Sequence, residues 1–245
     1  LVKKYIKLSK LRVVELLLVT TVPSMIVSLY SMPPLNLVAY TLIGGTLLAV
    51  SANVMNQVFE IDRDKLMTRT SDRPLVTGDL KKSSAIIYSI VMGVIGFMVL
   101  YFLTTPTAAL IGLIANQFYI FVYTLILKPR TNQNIVIGGA AGAAPVLIGW
   151  TATGSTLDVG AWLLFLLVFM WTPAHFWALS IENESDYKNA DFPMLPTQET
   201  HERSSIYIAI YSCATVLISI AAAPVLQLGI VYLLISISLG TNLMY

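Results

Sequence analysis

The stretch that decides the fold is LNLVAYTLIGGTLLAVSANVMNQVFEIDRDKLMTRTSDRPL, residues 35–75. Its first 25 residues carry no charged side chain, and the 16 that follow carry eight. A helix needs about 20 apolar residues to cross the hydrocarbon core of a membrane. The stretch therefore predicts a membrane-spanning helix that ends in a strongly charged loop.

Apolar blocks of this kind recur along the whole chain. Of its 245 residues, 56% are hydrophobic and 11% are charged, whereas a soluble domain carries roughly 25% charged residues. Hydropathy divides the chain into eight blocks, at residues 13–31, 35–58, 84–103, 107–127, 135–152, 160–181, 205–223 and 225–245. We therefore predict an all-α fold, a polytopic transmembrane helix bundle of eight spans, in a single membrane-embedded domain over residues 1–245.

The basic residues all lie on one side of the predicted bundle. They fall before span one or in the loops after spans two, four and six: Lys3, Lys4, Lys7, Lys10, Arg12, Arg63, Lys65, Arg69, Arg73, Lys81, Lys82, Lys128, Arg130, Lys188 and Arg203. The opposite loops contain one charged residue, Asp158. By the positive-inside rule, the N-terminus and the basic loops are cytoplasmic. This predicts a multi-pass protein of the lipid bilayer, in the plasma membrane of a prokaryote. The net charge of +2 gives no indication of a nucleic-acid partner.

Nearly all the acidic residues fall in two of the cytoplasmic segments. In the first, Asn56, Glu60 and Asp64 recur every four residues. On a helix these three side chains stay within an arc of about 80°. Asn53 belongs to the same stripe. The first segment therefore presents a row of oxygen ligands at the cytoplasmic end of span two.

The second acidic segment repeats this spacing, because Glu182 and Asp186 form another i, i+4 pair. Two carboxylate pairs on one face suit Mg²⁺, which is usually held by one or two carboxylates together with substrate phosphate oxygens. Zinc fits less well, because it prefers histidine and cysteine ligands. The alternative is that these acids form a solvated surface beside the basic loops.

The neighbouring basic residues predict a diphosphate site. Arg69 and Arg73 follow the first acids, and their guanidinium groups can grip diphosphate oxygens in pairs. Lys128, Arg130 and Lys188 can converge from the other two loops. The remaining lysines are better explained as topology signals: Lys3, Lys4, Lys7, Lys10, Lys81 and Lys82. Contacts with lipid head groups are the alternative for some of these cations.

One histidine lies inside an apolar block. His175 precedes Glu182 by seven residues, which predicts the same helix face and a position about 10 Å deeper; Asp186 falls in the same phase. The imidazole could ligate haem iron, act as a base or orient a substrate carboxylate. It could equally form an interhelical hydrogen bond. In span four, Asn116 and Tyr123 share a face, which favours a packing role.

Four segments together resemble the UbiA-type intramembrane prenyltransferases, specifically the branch that makes haem O. They are LRVVELLLVTTVPSM (11–25), NQVFEIDRDKLMTRTSDRPLVTG (56–78), YTLILKPRTNQNIVIGGAAGAAPVLIGW (123–150) and WTPAHFWALSIENESDYKNADFPMLP (171–196). The resemblance implies a bundle of nine helices with a lateral opening to lipid, so the eight spans found here leave one helix unaccounted for.

The same resemblance implies a set of ligands. Mg²⁺ would be held by a first motif on Asn56, Glu60 and Asp64, with Glu60 where many relatives have aspartate. A second motif would lie on Glu182 and Asp186. The substrates would be farnesyl diphosphate, bound near Arg69 and Arg73, and haem b. On the acceptor side we expect three polar residues within the membrane: His175, Asn53 and Asn116.

Three other functions remain compatible with the residues. A related prenyltransferase could act on a quinone precursor, a chlorophyll-like tetrapyrrole or a glycerol lipid. A transporter could also use polar groups within the membrane, although transport sites lie near the bilayer midplane rather than at one face. A structural membrane subunit or haem chaperone would not need the acids.

Overall fold

A computed structural model describes residues 1–244, without the side chains of residues 12, 13, 16–18 and 241–244. The described chain is entirely helical. In chain order its elements are α1 (Val2–Ser9), α2 (Leu11–Leu29), α3 (Leu35–Phe59), α4 (Ile61–Asp64), α5 (Lys82–Leu103), α6 (Pro106–Gln117), a π-helix π1 (Phe118–Leu127), α7 (Asn134–Ala152), α8 (Val159–Glu182), α9 (Glu184–Asn189), α10 (Leu195–Gln198), α11 (His201–Val225) and α12 (Ile230–Met244).

The apolar blocks of the sequence coincide with the long helices. In the described part of the chain, six helical stretches are long and apolar enough to cross a membrane. Two shorter apolar stretches, Val19–Leu29 and Ile230–Gly240, belong to α2 and α12. The all-α prediction is confirmed, whereas the count of eight spans stays a prediction.

Several helices begin where a side chain caps the first turn. Thr105, Asp158 and Thr200 each accept a hydrogen bond from the backbone N–H three residues later. Such caps satisfy backbone groups that have no partner within the helix. The short polar loops between the apolar blocks therefore fix where α6, α8 and α11 start.

Small residues allow the spans to pack closely. α3 lies along α5 and α11 along α8, while α7 contacts α2, α6 and α8. A Cβ atom added at Gly96 on α5 would lie 2.9 Å from the carbonyl oxygen of Gly44 on α3. Close backbone approach through small residues is the usual way in which helices associate in lipid.

The charged segments meet at one end of the bundle. Lys4 and Lys7 of α1 form ion pairs with Asp79 and Asp72, in the loop between α4 and α5. At the opposite end, the hydroxyl groups of Ser28 and Thr153 form a hydrogen bond, and the charged loop residue Asp158 caps α8. The structure therefore agrees with the sequence that the basic loops share one end.

Both acidic segments interrupt a helix, which corrects the expected geometry. α3 ends at Phe59, but backbone hydrogen bonds from Glu60 to Asn56 and from Asp64 to Glu60 preserve the helical spacing. α8 ends at Glu182, and α9 begins after a break at Asn183. The prediction that Glu182 and Asp186 share a helix face was wrong, because this break leaves Glu182 exposed and buries Asp186. For the same reason Asp186 does not extend the stripe of His175.

We expect chemical labelling to place the basic loops together on the cytoplasmic side. Single cysteines would replace the loop residues Ser71, Gln133 and Asn189 in a Cys213→Ser background. A membrane-impermeant thiol reagent should label them in inside-out vesicles and not in intact cells, because every lysine and arginine lies on their side. A cysteine replacing Thr156 in the opposite loop should show the reverse pattern. Labelling of residue 156 from the cytoplasmic side would refute this topology.

Candidate functional site

Three buried polar side chains at the end of α3 each meet a basic residue from another segment. Lys10, at the junction of α1 and α2, approaches Asn56 with its Nζ 3.4 Å from Oδ1. Two further cations pair with the acids: Lys128 Nζ lies 2.7 Å from Glu60 Oε2, and Arg73 forms an ion pair with Asp64. Because a buried carboxylate is costly without a partner, these pairs fix the segments against each other.

Lys10 is a residue that the sequence analysis missed. It was grouped with the topology signals, but the structure places it, partly buried, beside Asn56. Burial is the main cause that lowers the pKa of the Lys10 ammonium to about 7. The charge of Arg73 acts in the same direction, and that of Glu60 opposes it. No pattern in the sequence distinguishes this lysine from its neighbours. Its left-handed backbone conformation, φ 50°, at the helix junction turns the chain at this position.

A π-helix positions the residues that approach from span four. In π1 the Thr124 hydroxyl donates to the carbonyl of Tyr119. The backbone N–H of Lys128 donates to the carbonyl of Tyr123, so in each pair the acceptor lies five residues before the donor. The Thr124 hydroxyl in turn accepts from Asn56 Nδ2 at 3.2 Å. Wider π turns change the direction of the side chains that follow, and they are frequent at functional sites. Hydropathy could not reveal this, because π and α turns have the same composition.

Asp186 connects the second acidic segment to the first. Its two carboxylate oxygens accept the backbone N–H groups of Thr68 and Arg69 at 3.0 and 3.1 Å. The hydrogen bond from Arg69 is the largest cause that lowers the pKa of Asp186. The Arg69 guanidinium also lies 3.4 Å from the hydroxyl of Tyr187. Asp186 therefore holds the backbone of the loop between α4 and α5 in place.

Three predicted site residues are not brought to this cluster. Glu182 is exposed, and within the described structure its side chain makes no hydrogen bond or ion pair with the cluster. Arg130 is exposed as well, and exposed Lys188 pairs with Glu184 at 2.6 Å. In residues 1–244, as far as they are described, no three acidic, histidine or cysteine side chains converge to hold a metal by themselves.

An apolar cavity begins one helical turn below the charged cluster. Its empty volume is about 640 Å³, which includes space open to the surroundings, and it is lined by α2, α3, α6 and α7 together with Tyr119 of π1. Asn53 and Asn116 are its buried amides. Asn116 donates to the carbonyl of Leu48 at 2.8 Å, which is the packing role favoured by the sequence. The Asn53 Nδ2 has no hydrogen-bond partner within the described structure.

His175 lies on an uncovered face of α8. Its ring stacks on Trp171, with centroids 4.4 Å apart and planes inclined by 15°. The described residues provide no hydrogen bond to either ring nitrogen, so the imidazole is not an interhelical hydrogen-bond donor in this structure. Glu182, seven residues later, is exposed too, which agrees with the predicted common face.

Sequence comparison relates the chain to one family throughout its length. A family model described as "UbiA prenyltransferase family" matches residues 17–245. The chain is 48% identical over 238 residues to a Parafrankia protein named "Protoheme IX farnesyltransferase", covering 97% of this chain and 76% of that protein. A Frankia casuarinae protein of the same name is 47% identical over 236 residues, covering 96% and 82%.

Solved structures show the same fold at low sequence identity. A digeranylgeranylglyceryl phosphate synthase structure matches with a TM-score of 0.80 at 19% identity, covering 100% of this chain and 85% of that one. A structure of a UbiA homolog from Archaeoglobus fulgidus, bound to DMAPP and Mg²⁺, matches with a TM-score of 0.76 at 18% identity, covering 98% and 86%.

We expect Asp186→Asn to loosen the contact between the two acidic segments. An amide has one acceptor oxygen, so one of the two backbone N–H groups loses its partner. The free energy of unfolding should fall by about 1–3 kcal/mol. Thermal melting and limited proteolysis of the loop at residues 65–80 would measure this. Asp62→Asn is the matched control, because Asp62 is exposed and pairs with its neighbour Lys65. Equal melting of the two variants would contradict the role of Asp186.

Proposed function

The chain belongs to the UbiA prenyltransferase family, and we propose that it transfers farnesyl from farnesyl diphosphate to a vinyl group of haem b, giving haem O and diphosphate. The observation that carries the proposal is 48% identity, over 97% of the chain, to a protein named "Protoheme IX farnesyltransferase". The buried cluster of cations and oxygen ligands above an apolar cavity supports it, because a prenyl diphosphate has a charged head and an apolar tail.

The residues at the end of α3 fit Mg²⁺. Their donors are oxygens of Asn56, Glu60 and Asp64, and Glu60 Oε1 is buried without a hydrogen-bond partner among the described residues. Too few acids converge to hold a metal alone. This suits Mg²⁺, which needs one or two carboxylates and takes further ligands from substrate phosphates and water. We propose Asn56, Glu60 and Asp64 as the metal site, and Glu182 and Asp186 as ligands that join it when the second segment moves toward them.

Charge neutralisation is the main contribution of the protein to the reaction. Bound Mg²⁺ would stabilise the negative charge that develops on the departing diphosphate. Arg73, Lys128 and Lys10 are already held in this region, so they can stabilise the same charge once Mg²⁺ takes over the carboxylates that now pair with Arg73 and Lys128. Arg69 can reach it from the loop that Asp186 orders. Arg130 and Lys188 could join only if their loops move.

The apolar cavity would protect the reacting carbon from water. The bond between farnesyl C1 and the diphosphate oxygen breaks, and its electron pair leaves with the diphosphate. A haem vinyl carbon then bonds to C1, and water adds to the neighbouring carbon with loss of a proton. Premature attack by water on the allylic cation is prevented where the walls are apolar. Asn53 and Asn116 are the polar groups that could orient a substrate in this cavity.

We place haem b on the face of α8 that carries His175. An imidazole without a hydrogen bond at membrane depth is a candidate ligand, since polar side chains there are costly unless they have a function. Its place about 10 Å from the end of α8 separates it from the charged cluster. The membrane would be the plasma membrane of a prokaryote, with the charged end in the cytoplasm.

A transporter is less well supported. Its substrate site would be expected near the bilayer midplane, whereas the acids here lie at one end of the bundle.

Other prenyl acceptors are distinguished from haem b by product mass. The direct test incubates the purified protein with Mg²⁺, farnesyl diphosphate and haem b, followed by mass analysis for haem O. Absence of product with haem b, together with product from a quinone precursor, would overturn the acceptor assignment.

We expect Glu60→Gln, Asp64→Asn and Glu182→Gln each to lower turnover by about 10- to 100-fold, because each removes a carboxylate proposed to bind Mg²⁺. Asp62→Asn, in the same loop, should retain activity. Turnover at several Mg²⁺ concentrations, together with melting curves, separates metal binding from folding. Near-normal turnover in any two of the three variants would contradict the metal site.

We expect His175→Ala to impair the use of haem b and leave the affinity for farnesyl diphosphate unchanged. The reason is that a substitution affects only the states in which the side chain makes contact. Haem titration followed by the Soret band, and diphosphate titration on the same sample, measure the two effects. His201→Ala is the control, because His201 is the only other histidine and pairs with Glu184. If His175 only stabilises packing, the free energy of unfolding should fall by about 0.6–2 kcal/mol while haem binding stays normal.

A further inference from the structure

The aromatic ring of Phe192 holds two cations beside the charged cluster. The guanidinium carbon of Arg63 lies 4.5 Å from the ring centroid, and Lys128 Nζ lies 4.6 Å from it. Arg63 belongs to α4, and Lys128 follows π1. Phe192 comes from the segment between α9 and α10. One ring therefore contacts basic residues from two other parts of the chain.

The chain fixes Phe192 firmly. Only 3% of the residue is exposed. Its backbone N–H donates to the carbonyl of Tyr187 at 3.0 Å, and its own carbonyl accepts from Met194 at 2.8 Å. Asp191, just before it, has φ 52°, so the chain reverses direction at the end of α9. The ring then packs in a buried apolar cluster that includes Trp177.

Arg63 differs from Lys128 and Arg73, the two paired cations of the site. Lys128 and Arg73 each pair with a carboxylate. No ion pair of Arg63 is found in the described residues, and its Nη1 is buried without a hydrogen-bond partner. A buried guanidinium nitrogen that donates to nothing is costly. This nitrogen is therefore available to an anion that enters the cluster.

We propose that Arg63 binds the diphosphate of the substrate and that Phe192 is the positioning residue that holds Arg63 and Lys128 for this purpose. This inference rests on the proposed function of the site. It adds Arg63, which lies on α4 just after Glu60, to the residues that contact the diphosphate. It also gives the segment between α9 and α10 a role in positioning cations, through Phe192 and without its acidic residues.

An aromatic ring holds a cation without neutralising it, whereas a carboxylate cancels the positive charge. A carboxylate that holds an arginine cancels its charge and occupies its N–H donors. An aromatic face attracts the cation through the ring quadrupole and leaves the charge and the donors free for an incoming anion. The attraction is strongest where water is excluded, as it is around buried Phe192.

The test measures diphosphate binding without haem. Inorganic diphosphate would be titrated in the presence of Mg²⁺ into the purified full chain by calorimetry. We expect Phe192→Leu to weaken binding about 5- to 30-fold, because the cation–π attraction is lost while apolar volume is kept. Phe192→Tyr should bind like the unmodified protein. The matched control is Phe176→Leu, since Phe176 packs against the same cluster and no described cation lies over its ring.

A second comparison separates positioning from packing. In an Arg63→Gln, Lys128→Met background, Phe192→Leu should no longer weaken binding, because the ring then holds no cation. A ring-fluorinated phenylalanine at 192 keeps the shape and weakens the negative face, so it should reproduce the loss even if Phe192→Leu fails to fold. Unchanged binding in the fluorinated protein, or in Arg63→Gln alone, would overturn the inference.

These outcomes are distinct from failure of the proposed function. If the unmodified protein binds diphosphate and makes no haem O, the acceptor assignment fails and the roles of Arg63 and Phe192 are still measured. If it makes haem O and the Phe192 variants bind diphosphate normally, only the present inference fails.

Discussion

The structure depends on the pairing of buried charges at one end of an apolar bundle. Glu60 and Asp64 lie in a region with little water, where an unpaired carboxylate is costly. Their partners Lys128 and Arg73 come from different segments, and the loop of Arg73 is also held by ion pairs from α1. Satisfying these charges brings the N-terminus and the cytoplasmic loops together above the helices. The charged groups that hold the segments together are thus the same groups that would bind the substrate.

The two acidic segments have different tasks in this arrangement. The first presents its oxygens inward from the end of α3, whereas the second uses Asp186 to hold the backbone of the first loop. Beneath both segments lies a buried apolar cluster that includes Met67 and Phe192. Charge pairing sets which groups face the substrate, and apolar packing sets how rigidly they are held. A prenyltransferase needs both, because stabilising a departing diphosphate requires cations that are already in place.

A division between polar and apolar chemistry runs along the axis of the bundle. The charged groups lie at one end, and the cavity below them has Asn53 and Asn116 as its buried amides among small apolar residues. This polarity matches the shape of a prenyl diphosphate. His175 and Trp171 lie on α8, away from the residues that line this cavity. If haem b binds at His175 as proposed, the two substrates would approach from different sides of the bundle.

The sequence by itself determined that the apolar blocks are helices, that the basic loops share one end, and that Asn56, Glu60 and Asp64 form one row. These follow from composition and from local helical spacing, which one segment carries alone. Only the tertiary structure decided that Lys10 lies in the site, that Asp186 separates from Glu182, and that Phe192 holds Arg63. Each of these depends on the break at Asn183, on the π turns or on contacts between segments far apart in the chain. Neither hydropathy nor helical periodicity contains that information, because both describe neighbours along one helix and not the partner that a buried charge finds across the bundle.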